Sequence, residues 1–486
     1  MEPPSDSASI RFLLDGQAVC VRDVPPSLTV LEYLREHLRR TGTKEGCAEG
    51  DCGACTVLLG ELDGAARVRY RPINSCIRLL GSIDGRELVT VESLSPAGGP
   101  LHPVQQAMVD RHGSQCGFCT PGFVMSLFAL YLEQPHPTRD QVISALSGNL
   151  CRCTGYRPII DAGLGMGAYP EPAQWSRELA QAPERAQALR ALVRTRALEM
   201  PGWYAPRTLE ELAGILQREP TALILAGGTD VGLWVTKQLK DPWPVVFIGD
   251  IEALQQIDTG TECIRIGAAV SLADAWKALI ADYPALEEVA ERFGSPPVRH
   301  SGTLCGNLAN GSPIGDSMPA LMALGAQIEL RCGDATRILP LERFYLGYQR
   351  KDLAPGEFVV AVRVPRARPA QLIACYKVSK RYDQDISAVC LGVLVELDQG
   401  RVRSARIALG GMAAVPARAS AAESALLGQP WQEAAIEAAA HALGADFTPL
   451  TDMRASSAYR LEAARNLLRR FHLEQSGEAP LRVAHA

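Results

Sequence analysis

Apolar and polar positions alternate with a period of two near the start of the chain, then switch to a helical period after residue 100. Ser9-Ile10-Arg11-Phe12-Leu13-Leu14 and Gln17-Ala18-Val19-Cys20-Val21 read as strands on either side of Asp15-Gly16, a dipeptide that favours a two-residue hairpin turn. Residues 27–35 start a helix with Ser27 or Thr29 as its N-cap, and 88–91 is a last short strand. This predicts a small β-rich domain over 8–92. Residues 104–112 form an amphipathic run closed by Gly113, and Pro121 suits the first turn of a run over 123–132. Thr138 and Gln141 make a capping box ahead of Val142, Ile143 and Leu146, and Pro158 opens a fourth helix. A helical domain is therefore expected over 93–167.

From 168 to 198 the composition shifts to Ala, Glu, Arg, Gln and Pro, the character of a linker. Helix and strand signals then alternate over 199–369 (209–216, 222–225, 245–248), which predicts an α+β domain. Over 370–476, apolar runs at 388–395 and 405–409 are followed by helical patterns at 434–443 and 459–468, a separate sheet-plus-helix domain. No internal repeat is evident. Gly163-Leu164-Gly165-Met166-Gly167 lacks the G-x-G-x-x-G spacing and reads as a helix end, not a dinucleotide loop.

Composition narrows the function. A chain of 486 residues is too long for one hydrophobic core, and its 47% hydrophobic content is that of an ordinary globular protein. A net charge of −5 gives no basic footprint for nucleic acid. Polar residues interrupt every apolar stretch short of the roughly 18 needed to cross a bilayer, so no membrane span is expected. Met1-Glu2-Pro3-Pro4-Ser5-Asp6 lacks the features of a signal peptide, which makes the cytoplasm the expected compartment. Of 14 cysteines, Cys20, Cys263, Cys305, Cys332, Cys375 and Cys390 are scattered among apolar neighbours and read as reduced, buried small hydrophobes. The other eight fall in two groups before residue 154.

The first group is Cys47-x4-Cys52-x2-Cys55 with Cys76 further on, the plant-type ferredoxin pattern. Gly42, Gly46, Gly50 and Gly53 fill its loop, which must bend sharply and turn N–H groups inward toward sulfur. Zinc sites usually draw cysteines from two short paired units; here three come from one loop, which favours a 2Fe–2S cluster. The second group is Cys116-x2-Cys119 with Cys151-x-Cys153, each pair at a predicted helix start, where free N–H groups and the helix dipole favour anionic sulfur. Taken alone, that spacing also fits zinc; beside the first group the zinc reading weakens.

Gly46-Cys47-Ala48-Glu49-Gly50-Asp51-Cys52-Gly53-Ala54-Cys55-Thr56, Gln115-Cys116-Gly117-Phe118-Cys119-Thr120-Pro121-Gly122 and Cys151-Arg152-Cys153-Thr154-Gly155-Tyr156 together resemble the xanthine dehydrogenase and molybdenum hydroxylase family. The resemblance implies a multidomain α+β protein. A β-grasp 2Fe–2S ferredoxin domain would be followed by a four-helix 2Fe–2S domain. A two-part α+β FAD-binding domain of the vanillyl-alcohol-oxidase-like type and a C-terminal α+β domain like that of the CO dehydrogenase flavoprotein would complete it.

Two glycine-rich segments carry the flavin expectation. Ile224-Leu225-Ala226-Gly227-Gly228-Thr229-Asp230-Val231 is a strand entering a Gly-Gly turn whose N–H groups could approach a phosphate, although such a turn is commonly only a turn. Residues 302–317 are dense in small hydrogen-bonding side chains, which suit a diphosphate and ribityl chain or simply a long structural loop. In their order the two resemble the FAD domain of the same family. The resemblance places Ile224–Val231 on the pyrophosphate, and Thr303, Asn307, Asn310 and Asp316 on phosphate, ribityl and ribose groups. Phe293, Val359 and Lys377 would surround the flavin, with Tyr348 near its ring. Cys305 departs from a position where the family commonly has glycine. Residues 378–387, including Lys380, Arg381 and Asp383, match a loop near the flavin and nicotinamide site; a solvated charged loop is the other reading.

For function, the resemblance implies the electron-transfer small subunit of a bacterial-type xanthine dehydrogenase. Purine hydroxylation at a molybdopterin cofactor on a large partner subunit would send electrons through two 2Fe–2S clusters to FAD, which reduces NAD+. The chain would act in a dimer of heterodimers and carry no catalytic side chain of its own. The equivalent subunit of an aldehyde or N-heterocycle hydroxylase is the first alternative. A redox-sensing or zinc-stabilised interaction protein is the second.

Overall fold

The hairpin dipeptide does what its chemistry suggests. In the computed structural model, which describes residues 9–64, 67–95, 98–172 and 174–477, Asp15 and Gly16 both take positive φ (52° and 82°), as a type I′ turn requires. The opening residues Met1 to Asp6, read above for an export signal, lie outside the described residues. Ile10–Leu14 and Gln17–Val21 pair antiparallel, with Ile10 opposite Val21. Ile10–Leu14 also runs parallel to Glu87–Val89, which pairs with Thr56–Asp63 and through it with Arg67–Asn74. This five-stranded mixed sheet carries a helical turn, Val30–Glu32, capped by Thr29: its Oγ1 accepts from the Glu32 N–H at 3.1 Å while the Glu32 carboxylate accepts from the Thr29 N–H at 3.0 Å. The order is that of a β-grasp domain.

The helical stretch contains Pro103–Asp110, Thr120–Glu133, Arg139–Leu146 and Arg157–Gly165. Phe123, Leu127, Phe128, Val142, Ile159 and Ala162 interlock in one core, and Thr138 with Gln141 forms the expected capping box. Residues 168–198 are not an extended spacer. They contain the helices Arg177–Ala180 and Pro183–Arg190, whose Ala186 and Leu189 enter that same core. Arg194 clamps the buried Asp84 at 2.6 Å.

By contacts the chain divides into two compact units. One runs to Glu252 and includes Gly294–Gly302; the other holds Ala253–Phe293 and everything from Thr303 on. The first unit closes with a four-stranded sheet in the order Leu198–Met200, Trp203–Ala205, Val245–Phe247, Leu223–Leu225, flanked by the helix Leu209–Arg218. The second contains an antiparallel five-stranded sheet built on Phe358–Pro365, with the helices Leu304–Asn310 and Ser317–Ala323. It ends in an antiparallel sheet, Gln371–Val378, Val389–Asp398, Arg401–Gly410 and Ala417–Arg418, backed by Glu433–Asp446 and Ser457–Gln475 over a separate core.

All 14 cysteines are free. Of the six scattered ones, Cys305, Cys375 and Cys390 are buried, but Cys20 and Cys332 are exposed and Cys263 is half-buried, which corrects the expectation of six core thiols. Cys20 lies on the outermost strand of its sheet and Cys332 ends its strand beside a turn, so neither has a layer above it. No helix among the described residues is long and apolar enough to cross a membrane.

Candidate functional site: two cysteine centres and a glycine-rich region

Cys47, Cys52 and Cys55 come from the loop entering Thr56–Asp63, and Cys76 follows the neighbouring strand Arg67–Asn74. The loop folds back on itself because Ala48, Gly50 and Gly53 adopt positive φ. This turns the N–H groups of Glu49, Asp51 and Cys52 toward the Cys47 sulfur at 3.5, 3.4 and 3.3 Å. The Cys55 and Cys76 sulfurs stand 3.3 Å apart, and both Ser75 N–H (3.3 Å) and Ser75 Oγ (2.7 Å) donate to the Cys55 carbonyl, tying the two ligand segments together. Asn74 Nδ2 closes the loop by donating to the Gly50 carbonyl at 2.7 Å.

The second centre sits between two helix starts. Cys119 is the N-cap of Thr120–Glu133, and Cys151 and Cys153 lie just before Arg157–Gly165. The Cys116 and Cys153 sulfurs are 3.6 Å apart and exposed, whereas Cys119 and Cys151 are half-buried. Tyr156 takes an unusual positive φ of 69°, which brings its hydroxyl to accept from the Cys151 N–H at 3.0 Å. The Thr154 hydroxyl lies 3.3 Å from the Cys151 sulfur.

Proton affinities within each set split in two. The Cys52 and Cys76 thiols hold Cys47 well below the ordinary thiol range, and Cys76 lowers Cys55 against its burial. Cys52 and Cys76 are pushed up in return. In the second set Cys116 is lowered by the Phe118 N–H and by Cys153, which rises against Cys116. Cys119 is pushed up to about 12 by burial and by Cys151; Cys151 is lowered, against its burial, by Thr154. The first set thus runs as four adjoining thiols, Cys52, Cys47, Cys76 and Cys55, whereas the second pairs Cys116 with Cys153 and Cys119 with Cys151. Among the described residues no three His, Cys, Asp or Glu converge as a single metal ion needs. Four thiols in each set, with three N–H groups turned on Cys47, match the donors that a 2Fe–2S cluster requires.

In the first unit, Leu223–Leu225 feeds the turn Ala226 to Asp230 and then the helix Val231–Thr236. Gly228 has φ 78°, and a Cβ on Gly227 would overlap the Ser301 carbonyl oxygen and lie 2.6 Å from Gly302 Cα, so only glycine fits. Ile224 is half-buried, Leu225 and Val231 are buried, and Thr229 is partly open. In the second unit, Thr303 caps Leu304–Asn310 by accepting from the Gly306 N–H at 3.0 Å. Asn307 accepts from Ser317 at 2.5 Å. Asp316 pairs with Lys377 at 2.7 Å and accepts from Ser387 at 2.6 Å, all three groups being buried. Asn307, Asp316 and Lys377 are thereby brought into one neighbourhood. Asn310 ends its helix half-buried, Val359 and Phe293 are buried, and Phe293 packs on Trp276. Tyr348 is 61% exposed. In the loop 378–387, the Arg381 N–H donates to Asp385 at 2.8 Å and Lys380 to the Met453 carbonyl at 2.9 Å.

Four family descriptions match consecutive parts of the chain. They are the 2Fe-2S iron-sulfur cluster binding domain (12–79), the [2Fe-2S] binding domain (90–164), the FAD binding domain in molybdopterin dehydrogenase (196–367) and the CO dehydrogenase flavoprotein C-terminal domain (374–475). The chain belongs to the molybdenum hydroxylase family.

Similar members of that family include the xanthine dehydrogenase of Emericella nidulans, 32% identical over 90% of this chain and 36% of the relative. The aldehyde oxidase 1 of Bos taurus is also 32% identical, over 89% of this chain and 36% of the relative. This molybdenum hydroxylase chain therefore spans just over a third of the length of the curated relatives it matches. Among solved structures, a carbon monoxide dehydrogenase chain from Hydrogenophaga pseudoflava is similar with TM-score 0.53 and 29% identity, over 56% of this chain and 96% of that one. A chain of quinoline 2-oxidoreductase from Pseudomonas putida 86 is similar with TM-score 0.51 and 26% identity, over 57% of this chain and 97% of that one.

Within this molybdenum hydroxylase chain the structure adds residues that sequence reasoning passed over. Arg292, buried beside Phe293, donates to the carbonyls of Lys377 (3.0 Å) and Tyr382 (3.2 Å) and so fixes both ends of the charged loop's first turn. Ser387 shares Asp316 with Lys377. Nothing in the local sequence marks either, because their partners are remote in the chain. Asn149, buried just ahead of Cys151, lies in the turn after Arg139–Leu146, and an amide beside Ser147 and Gly148 reads as an ordinary turn residue.

Proposed function

We propose that this chain is the electron-transfer subunit of a xanthine dehydrogenase of bacterial type. It would take electrons from purine hydroxylation at a molybdopterin cofactor on a large partner subunit and deliver them to NAD+, in a dimer of heterodimers. The observation that carries this reading is the order on one chain of two paired-thiol centres and a flavin-type domain. When bound, the clusters relay single electrons and FAD passes a hydride to NAD+.

In this reading Cys47, Cys52, Cys55 and Cys76 hold one cluster, and Cys116, Cys119, Cys151 and Cys153 the other. The segment Ile224 to Val231 approaches the pyrophosphate, with Thr303, Asn307, Asn310 and Asp316 on the phosphate, ribityl and ribose groups. Phe293, Tyr348, Val359 and Lys377 border the flavin. The chain's own work is to fix the ligands, exclude water at the buried Cys55 and Cys76, and leave Cys116 and Cys153 open toward the partner. The exposed Phe118 and Leu150 beside those two cysteines supply an apolar rim for that contact.

A separate molybdenum subunit is supported by the carbon monoxide dehydrogenase likeness: the match takes up 96% of that chain, and the molybdenum cofactor of that enzyme, whose Mo-pyranopterin moiety the solved structure lacks, has no counterpart in the matched domains. An aldehyde- or N-heterocycle-oxidising complex is the second reading, favoured by the bovine aldehyde oxidase at the same identity and by the quinoline enzyme. Co-expression with the partner subunit, followed by assay with xanthine and NAD+, tests the choice. Purine-dependent NADH formation is expected; turnover of aldehydes or quinolines without purines would transfer the assignment to the second reading.

A further inference from the structure

The loop of the first cysteine centre and the ligand strand of the second are joined along a backbone seam. The Leu150 N–H donates to the Cys52 carbonyl at 3.0 Å, so a single hydrogen bond links ligand Cys52 to the residue covalently attached to ligand Cys151. Next to it, Asn149 Nδ2 donates to the Gly53 carbonyl at 3.1 Å and lies 3.4 Å from Thr56 Oγ1. Asn149 Oδ1 accepts from Ser126 on the helix that starts at Cys119, at 2.6 Å. Asn149, Ser126 and Thr56 are each at most 3% exposed, so water cannot replace these bonds.

The seam is as close as backbone permits. A Cβ on Gly122 would overlap the Gly53 carbonyl oxygen and lie 3.2 Å from Ala54 Cα. A Cβ on Gly53 would overlap the Gly148 carbonyl oxygen and lie 3.0 Å from Asn149 Cα. One small-residue contact therefore sits beside Cys52 and Cys55 on one side and Cys119 and Cys151 on the other. Apolar packing alone would let such loops slide; the amide of Asn149, bonded to both sides, sets their register.

We infer that Asn149 is a positioning residue that holds the two cysteine centres in register, so that the Cys52 carbonyl to Leu150 N–H bridge couples them electronically. The inference rests on the reading of both centres as 2Fe–2S clusters. Transfer across the bridge moves one electron from one cluster to the other, with no bond made or broken and no proton released.

The test is electron paramagnetic resonance of the full chain, fully reduced with dithionite, in wild type, Asn149→Asp and Gly122→Ala, with iron and acid-labile sulfide assayed on each. Asn149→Asp keeps the side-chain shape and the Ser126 bond but removes the donor to Gly53; Gly122→Ala forces the seam apart with Asn149 intact. The expected result is a spin–spin splitting between two reduced clusters in wild type that is lost in both variants at unchanged iron and sulfide. A splitting that persists in both variants overturns the inference. Loss of one cluster from Asn149→Asp also overturns it, since Asn149 would then serve assembly and not register. A wild-type chain without two cluster signals instead refutes the underlying cluster reading, a different outcome from either.

Discussion

Replacing Lys377 by methionine isolates the buried ion pair at the centre of the second unit. The change removes the 2.7 Å bond to Asp316, whose carboxylate keeps only the Ser387 hydroxyl at 2.6 Å. Both side chains are under 10% exposed, so the remaining charge cannot be hydrated without opening the sheet between Gln371–Val378 and Val389–Asp398. Breaking one side of such a pair costs about 3–5 kcal/mol, whereas replacing both partners by neutral groups is often nearly neutral. For a unit of this size each kcal/mol moves the melting temperature by about 2–4 °C, giving a fall of about 6–20 °C for Lys377→Met. Calorimetry on flavin-free protein is the assay, because bound flavin would add its own stabilisation. The double variant Lys377→Met/Asp316→Asn should recover most of the loss. A drop below about 2 °C in the single variant, or no recovery in the double, would refute the closed, buried pair.

Three further outcomes follow from the geometry. Cys116→Ser should halve the iron and acid-labile sulfide and remove one of two cluster signals, since its centre shares no ligand with the other; loss of both signals from a folded protein would contradict separate centres. Gly227→Ala drives a Cβ into the Ser301 carbonyl and should abolish flavin retention while iron content stays unchanged, as read from the visible spectrum. His102, buried between Phe128 and Tyr131, has its affinity for protons lowered to about 4 by burial, against about 6.5 when unfolded. The unfolded chain thus binds the extra proton between those values. The contribution of neutral His102 is complete above pH 6.5 and is lost as pH falls toward 4, a change of about 3 kcal/mol at about 1.4 kcal/mol per unit. Denaturant titrations across pH 4–7 should show this slope, and His102→Asn, which keeps an N-cap, should flatten it.

Local chemistry made much of the fold legible. Asp15-Gly16 has only a few favourable conformations, and Thr138 with Gln141 satisfies helix N–H groups wherever the rest of the chain goes. The grouping of the eight cysteines proposed as cluster ligands was legible for the same reason, because a cluster loop restricts their spacing. What escaped the sequence depends on partners remote along the chain. Asp316 and Lys377 were expected to serve a cofactor, each alone, and their pairing across 61 residues has no local trace. Tyr156 reads as an aromatic after a turn, yet its positive φ aims the hydroxyl at Cys151. The stretch 168–198 looks like a spacer because its surface is charged, but Ala186 and Leu189 face the helical core. Cys20 and Cys332 face solvent because the first lies on an edge strand and the second ends its strand at a hairpin turn, neither of which the cysteine itself reveals.

The central claim is that one chain holds two separate 2Fe–2S clusters and a flavin in a single electron path. Anaerobic reductive titration of the purified chain, followed by visible absorbance, tests it most directly. Uptake of about four electrons per chain is expected, one for each cluster and two for the flavin, with bleaching in both the iron–sulfur and flavin bands. A colourless protein that consumes no reductant, or one that saturates at about two electrons with flavin bleaching alone, would contradict it.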